Sequence, residues 1–252
     1  MRGFFLEEML WVMVMKTILC WVGWFFGGLI ENLKEGFLSV MGEIHLTKRP
    51  LWIQIAPTGN DVKGRELRKA LELVKAGDIL VRRYRGVVCG WFIPGRFSHS
   101  GVYIGDGLMI HAIGSGVQKV DMLDFLACDG FAILRAKEGA GRRAGEEGGG
   151  SETIADKAVR IAKGYIGYSY DYKFDICEDY GNEKEVENRT KSVYCHELVR
   201  SCFPDLDIPT VKPSLWNGMI RSGKSQFLAQ SFFDSEDLEV VYDSDFSEAR
   251  VG

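Results

Sequence analysis

One short stretch constrains the fold more than any other part of the chain. FSHSGVYIGDGLMIHAI, residues 97–113, alternates apolar residues with small or polar ones on both sides of Gly-Asp-Gly. This alternation predicts two antiparallel strands joined by a tight turn. Glycine readily adopts the positive φ that such turns need, so a three-residue loop over residues 105–107 is preferred to a two-residue loop. The stretch therefore predicts a β-hairpin, and with it a sheet.

The register of this hairpin places two histidines on one face. With the three-residue loop, Ile104 pairs with Leu108 and Val102 with Ile110 on one apolar face, and side chains alternate strictly along each strand. His111 then lies opposite Gly101, and His99 is its diagonal neighbour at roughly 7–8 Å. The missing side chain at Gly101 leaves room between the rings. A two-residue loop would separate the histidines, and two unrelated structural histidines remain the alternative interpretation.

Composition excludes several classes of protein. A chain of 252 residues can bury a core without disulfides, and its net charge of −4 offers no basic surface for nucleic acid. The six cysteines have no CxxC pair and are interpreted as free thiols. Histidines and cysteines also lack the paired spacing of a zinc site, so we expect no metal and no cofactor.

The first 60 residues differ from the rest. Residues 9–30 carry Lys16 as their one charge and are long enough for a membrane-spanning helix. An uncleaved anchor is expected here, with membrane association of the protein; a helix packed on the domain or lying at the membrane surface, in a cytoplasmic protein, is the alternative. The predicted organisation is a hydrophobic segment and linker over residues 1–60, followed by one domain over residues 61–252.

The domain is expected to be α+β, a meander of strands packed with helices. Helical spacing occurs at residues 63–74, 121–128 and 153–166, and strands are predicted at 79–84, 116–121 and 131–136. Residues 138–151 are nearly all glycine, alanine and charge, which predicts a flexible loop.

Cys195 differs from the other cysteines in its local context. The run VYCHELVRSCF, residues 193–203, has apolar residues at helical spacing, so a helix is expected to start near Tyr194. Cys195 then falls in the first turn, where free backbone N–H groups and the helix dipole favour a thiolate. His196 would point about 100° away around the helix and is expected to be exposed.

A cysteine nucleophile needs a base, and that base works better when a third group fixes its ring. The shared face of the hairpin offers both groups. His99 is the candidate base and His111 the candidate orienting group. Cys195, His99 and His111 together predict a thiol hydrolase.

The sequence resembles the YiiX/YebB-like permuted papain-fold hydrolases, relatives of the NlpC-type peptidases in which the cysteine helix follows the histidine strands. The matching motifs are GDILVRRY at 77–84, SHSGVYIGDGLMIHA at 98–112, AILRAK at 132–137, GYIGYSYDYKFD at 164–175 and YCHELV at 194–199. Their order is that of the permuted family. The resemblance implies a circularly permuted papain-like fold, with an antiparallel meander or barrel.

The resemblance also implies roles for single residues. Cys195 aligns with the nucleophile, His99 with the base and His111 with the polar third residue, where many relatives carry glutamate. Tyr194, Tyr170 and Asp171 match motif positions that help to line or brace the site, although the last two could instead be loop residues that fix a turn.

The implied substrate is an amide, either a peptide or a peptidoglycan-type bond. Lipid deacylation or acyl transfer of the lecithin retinol acyltransferase-like kind is an alternative because that group shares the permuted order. A binding module that has lost its chemistry is a second alternative.

Overall fold

The computed structural model describes residues 44–48, 51–55, 61–85, 93, 95–141, 152–172, 174, 191–211 and 225–246. The hydrophobic stretch at 9–30 lies outside these residues, as does most of the predicted loop at 138–151. Among the residues described, no helix is both long and apolar enough to span a membrane.

Helices and strands alternate along the described chain. The helices are α1 Gly64–Leu73, α2 Met122–Phe125, α3 Ile154–Gly164, α4 Cys195–Cys202 and α5 Ala229–Asp234. The strands are β1 Ile44–Lys48, β2 Leu51–Ile55, β3 Ile79–Arg83, β4 His99–Gly105, β5 Leu108–Ile113, β6 Gly116–Asp121, β7 Gly130–Ala136, β8 Ser169–Tyr170, β9 Ser192–Val193 and β10 Leu238–Asp243.

One antiparallel sheet organises the domain. Its six strands run in the order β10-β7-β3-β4-β5-β6, and each neighbouring pair is antiparallel. Two smaller pairs accompany it: β1 with β2, antiparallel, and β8 with β9, parallel. The architecture is mixed α/β around an antiparallel sheet, as the sequence predicted.

The predicted hairpin register is confirmed where it matters for the site. Val102 pairs with Ile110 and Gly101 with His111. The turn differs in detail, because Gly105 pairs with Leu108 across an irregularity in the register, in place of the expected partner Ile104. The positive φ values at residues 105–107 explain why two glycines flank the aspartate.

The sheet separates two apolar layers, because successive side chains of a strand point to opposite faces. Val102 and Ile110 pack with Leu198 and Val199 of α4 on one side. On the other side lie the alternate strand residues and the short helix α2; they include Leu80, Tyr103, Met109, Met122, Phe125, Phe131 and Ile133. We call these the α4 face and the α2 face. Each residue of β4 therefore belongs to one layer or the other.

Candidate active site

The two predicted histidines meet on the α2 face. Nε2 of His99 lies 2.9 Å from Nδ1 of His111, and the rings meet edge to face with centroids 5.1 Å apart. His111 is buried, while His99 is half-buried at the start of β4. Within the described residues, Nδ1 of His99 makes no hydrogen bond. The His111 ring is therefore fixed in the core, and Nδ1 of His99 is the nitrogen of the pair that can accept a proton.

Gly101 has no room for a side chain beside His111. A Cβ added at Gly101 would lie 2.9 Å from the carbonyl oxygen of Ile110 and 3.2 Å from Cβ of His111. Real side chains rarely tolerate such distances, so any larger residue would displace β5 or the His111 ring. The absence of a side chain at Gly101 therefore lets β4 and β5 pack closely beside His111.

Arg82 and Phe125 complete the cluster, and the sequence analysis identified neither. Arg82 on β3 pairs in register with His99 on β4. Its guanidinium carbon lies 4.4 Å from the centroid of the Phe125 ring, and its Nη1 donates to the Phe125 carbonyl at 2.8 Å. The same ring contacts both histidines, with centroid separations of 5.6 Å to His99 and 5.7 Å to His111. Phe125 is the apolar centre around which three basic side chains pack.

This environment keeps the histidine pair neutral. Burial lowers the pKa of His111 to about 4, and the charge of Arg82 acts in the same direction. Burial also lowers the pKa of His99 well below its usual value, with further contributions from Arg82, His111 and His196. At neutral pH both rings are therefore uncharged, as a base that accepts a proton must be.

The tautomers follow from the hydrogen bond. A base at Nδ1 of His99 needs the proton of that ring on Nε2, which then donates to Nδ1 of His111. Nε2 of His111 then carries a hydrogen, and this atom is buried with no hydrogen-bond partner in the described structure. In this arrangement His111 acts purely as an acceptor toward His99.

Cys195 is the first residue of α4, in agreement with the sequence analysis. Tyr194 is the N-cap residue and makes no side-chain cap hydrogen bond. Cys195 is buried in the layer on the α4 face. Its carbonyl oxygen accepts a hydrogen bond of 3.2 Å from Oγ of Ser100, the residue next to His99. The first turn of α4 is thus attached to the strand that begins with the candidate base.

The strands separate close to this point. Regular pairing of β4 with β5 extends to Gly101 and His111. His99 lies beyond the end of that pairing, in the part of β4 that is bonded to β3. Among the described strands, the start of β4 is therefore paired with β3 alone.

His196 is buried, so the expectation that it is exposed was wrong. It is 2% exposed, its Nδ1 lies 2.8 Å from Oγ of Ser100, and its ring packs against Phe232. The hydroxyl of Ser100 has one hydrogen, which it donates to the Cys195 carbonyl, so Nδ1–H of His196 is the donor in the second contact. The error arose because α4 is enclosed on nearly every side, whereas a rotation around the helix axis predicts exposure only for a helix at the surface.

The three predicted supporting residues lie beside the entry to α4. Tyr194 is buried, and its hydroxyl accepts a hydrogen bond of 3.0 Å from the backbone N–H of Phe227. Tyr170 on β8 pairs with Val193 on β9, and the N–H of Asp171 donates to the carbonyl of Val193. These contacts hold the chain immediately before Cys195, which is a bracing arrangement.

Arg135, Cys128 and Cys202 lie in surroundings that indicate structural roles. Arg135 on β7 makes a two-point contact with buried Asp78 at 2.7 Å for each bond. Cys128 and Cys202 are buried free thiols, and burial raises the pKa of both. Among the described residues, no group of three or more histidine, cysteine, aspartate or glutamate side chains could hold a metal ion.

Comparison with known proteins connects this geometry to a family. A sequence model of the permuted papain-like amidases, the YaeF/YiiX or C92 family, matches residues 73–242, which is more than half of the chain. The crystal structure of the metalloprotein yiiX from Escherichia coli O157:H7 is similar at 18% sequence identity, with 68% of this chain and 98% of that chain covered and a TM-score of 0.49. No curated protein matches the sequence.

Proposed function

Because the chain belongs to the permuted papain-like amidases, a family of cysteine-type hydrolases, we propose that it cleaves an amide bond with Cys195 as nucleophile and His99 as base. The observation that carries the proposal is the contact of 2.9 Å between His99 and His111, on the strand to which the start of α4 is bonded through Ser100. A base, its orienting group and a helix-start cysteine are the three parts that thiol hydrolysis needs.

The proposed reaction begins with transfer of the Cys195 thiol proton to Nδ1 of His99. Because the His99 ring lies on the α2 face and Cys195 in the layer of the α4 face, this step requires the thiol to reach the ring past the start of β4. The thiolate attacks the substrate carbonyl carbon, and a bond from carbon to sulfur forms. His99 then gives its proton to the leaving nitrogen as the carbon–nitrogen bond breaks. Water, deprotonated by the same ring, hydrolyses the resulting thioester and regenerates the thiol.

Backbone N–H groups at the start of α4 are the proposed oxyanion donors. The first N–H groups of a helix have no partner within the helix, and the cap residue Tyr194 supplies no side-chain acceptor to them. Donors held in a fixed position stabilise the negative charge that develops on the carbonyl oxygen during attack. This role needs no additional side chain.

His111 is proposed to hold the His99 ring and its tautomer. The 2.9 Å contact places an acceptor nitrogen at Nε2 of His99, so that the lone pair of Nδ1 faces away from it. Glutamate at this position in relatives, which the family resemblance implies, would accept the same hydrogen bond. A neutral orienting group is a weaker stabiliser of imidazolium than a carboxylate.

The test is turnover of amide substrates by the full chain, with peptide and peptidoglycan-type amides assayed beside ester analogues and with amines added as competing acceptors. We expect amide cleavage by water and an acyl adduct on Cys195 by mass spectrometry, and neither in Cys195→Ala. Transfer to amines in preference to water would favour the acyltransferase alternative. Equal amide cleavage by wild type and Cys195→Ala would overturn the proposal.

A further inference from the structure

Four charged side chains form one network between the last strand of the sheet and the segment that precedes β4. Arg96 binds two carboxylates, since its Nη2 contacts Asp243 and its Nε lies 3.3 Å from Asp245. Asp245 also pairs with Arg83 at 2.7 Å. None of the four side chains is more than 31% exposed, so solvent and salt screen these pairs less than pairs at an open surface. We call these four residues the ion network.

The ion network crosses the sheet from its edge strand. Asp243 is the last residue of β10, and Arg83 is the last residue of β3. The strand between them is β7, where Gly130 pairs with Arg83. A Cβ added at Gly130 would lie 2.7 Å from Nε of Arg83 and 3.1 Å from Oδ1 of Asp245. Glycine at this position therefore leaves the space that the Arg83–Asp245 pair occupies.

Aromatic rings hold Arg96 in addition to the carboxylates. Its guanidinium carbon lies 4.3 Å from the ring centroid of Phe97 and 5.1 Å from that of Phe246. Phe97 is itself buried and stacks on Phe233 of α5, with centroids 5.6 Å apart and planes at 6°. A planar guanidinium that stacks on rings and binds two carboxylates is fixed in position and orientation. Arg96 is thus an anchor for the chain around it.

This anchor lies close to the candidate base. Arg96 is three residues before His99 in the sequence, which is at most about 10 Å of extended chain. Among the described strands, the start of β4 pairs with β3 alone, through Arg82 and His99, and regular pairing with β5 extends only to Gly101. The N–H of Ser98 adds one hydrogen bond of 3.1 Å to the Arg82 carbonyl. A movement of the segment before β4 would therefore move the His99 ring.

We propose that Arg96 is a positioning residue for the proposed reaction: its contacts with Asp243 and Asp245 fix the segment before β4 and thereby hold the His99 ring in its working position. This inference rests on the proposed role of His99 as base. Proton transfer needs the two atoms within hydrogen-bond reach, and a displacement of about 1 Å can cost about 10²-fold in rate. In this role Arg96 acts through the chain and does not touch the substrate.

The test compares two ion pairs of the same sheet by steady-state kinetics of the full chain on an amide substrate. Arg96→Gln removes the cation from the ion network. Arg135→Gln is the matched control, because it removes the cation from the pair with Asp78 near the other end of β7. Both variants should unfold at lower denaturant concentration than wild type. Only Arg96→Gln should lose about tenfold in kcat, with KM within about twofold, under conditions in which every variant is folded.

Two further variants separate the ion pair from general packing. Arg96→Lys keeps a cation but not the planar two-carboxylate contact, so its kcat should lie between those of wild type and Arg96→Gln. Combining Arg96→Asp with Asp243→Arg forms the pair again with its charges reversed. The combined variant should have a higher kcat than either single substitution, and this comparison remains decisive if Arg96→Gln does not fold.

The outcomes distinguish this inference from the proposed function. Equal losses of kcat in Arg96→Gln and Arg135→Gln would overturn the role of Arg96, because the loss would then follow from stability. An unchanged kcat in Arg96→Gln, or a raised KM alone, would also overturn it. Each of these results leaves the proposed function intact while wild type cleaves the amide and His99→Ala does not. Equal turnover by wild type and His99→Ala would overturn both.

Discussion

Two histidine contacts lie on opposite faces of β4, although their members are neighbours in the sequence. His99 meets His111 on the α2 face at 2.9 Å, and Ser100 meets His196 on the α4 face at 2.8 Å. The first contact has Arg82 beside it, and within the described residues one of its ring nitrogens, Nδ1 of His99, makes no hydrogen bond. The second is fully buried against Phe232 and bonded to the backbone of Cys195.

The difference indicates which pair is suited to catalysis and which pair attaches α4 to the sheet. Strand alternation sends adjacent residues to opposite layers, so the same stretch of β4 can present a base on one face and attach the nucleophile's helix on the other. Each pair contains a histidine, and the surroundings decide what that histidine does. We therefore expect the two pairs to respond differently to substitution.

The largest effect is expected at Cys195 and His99. Cys195→Ala and His99→Ala should each lower turnover by about 10⁴-fold, and the double variant should be no worse, because the two residues act as one unit. Steady-state kinetics on a good amide substrate gives the measurement. Cys202→Ala, which removes a buried thiol from the other end of α4, is the control and should change kcat only a few-fold. If the two losses of turnover add in the double variant, Cys195 and His99 do not act as one unit.

His111 should show an intermediate effect. His111→Ala leaves nucleophile and base in place but removes the acceptor that fixes the His99 ring, so we expect a loss of about 10- to 100-fold, mainly in kcat. His111→Glu should recover part of it. A larger loss in His111→Ala than in His99→Ala would mean that base and orienting residue have been exchanged.

The Ser100–His196 pair should affect stability more than chemistry. Ser100→Ala removes the hydroxyl that bonds Nδ1 of His196 and the Cys195 carbonyl, which costs about 1–3 kcal/mol of unfolding free energy. Turnover should fall only a few-fold, through displacement of the first turn of α4. His196→Ser should behave similarly. Denaturant unfolding and kcat/KM are measured on the same variants. A loss of kcat/KM in Ser100→Ala close to that in His99→Ala would mean that the Ser100–His196 pair takes part in the chemistry.

The last prediction concerns acid stability. His111 has a pKa of about 4 in the folded protein, below the value of about 6.5 expected when unfolded. The unfolded state therefore binds more protons between these values, and the stability contribution present above pH 6.5 is lost as the pH falls toward 4. This loss amounts to roughly 3 kcal/mol. The unfolding free energy of His111→Gln should depend less on pH over this range than that of wild type. Parallel pH profiles of the two proteins would show that His111 titrates normally.

Local patterns predicted the parts of the site that depend on local geometry. Alternation and the Gly105–Gly107 turn determine which face His99 and His111 share, and the structure confirms their pairing relation through Gly101. The start of α4 at Cys195 was likewise predicted from apolar spacing. Both predictions needed only the periods of a strand and a helix.

The remaining parts depend on contacts between distant segments. Arg82 reaches His99 because β3 pairs with β4, and Phe125 lies in a helix of four residues whose position only the folded sheet determines. His196 was misplaced because a polar residue in an amphipathic pattern predicts exposure, whereas α4 is covered on both sides. Tertiary packing overrides local periodicity in such cases.

The central claim is that the pair on the α2 face, and not the pair on the α4 face, activates Cys195. The most direct measurement is the rate at which an acyl electrophile labels Cys195 at pH 7, compared between His99→Ala and His196→Asn at matched thermal stability. We predict a loss of at least about tenfold in His99→Ala and a change of less than about threefold in His196→Asn. Labelling that persists in His99→Ala and collapses in His196→Asn would contradict the account.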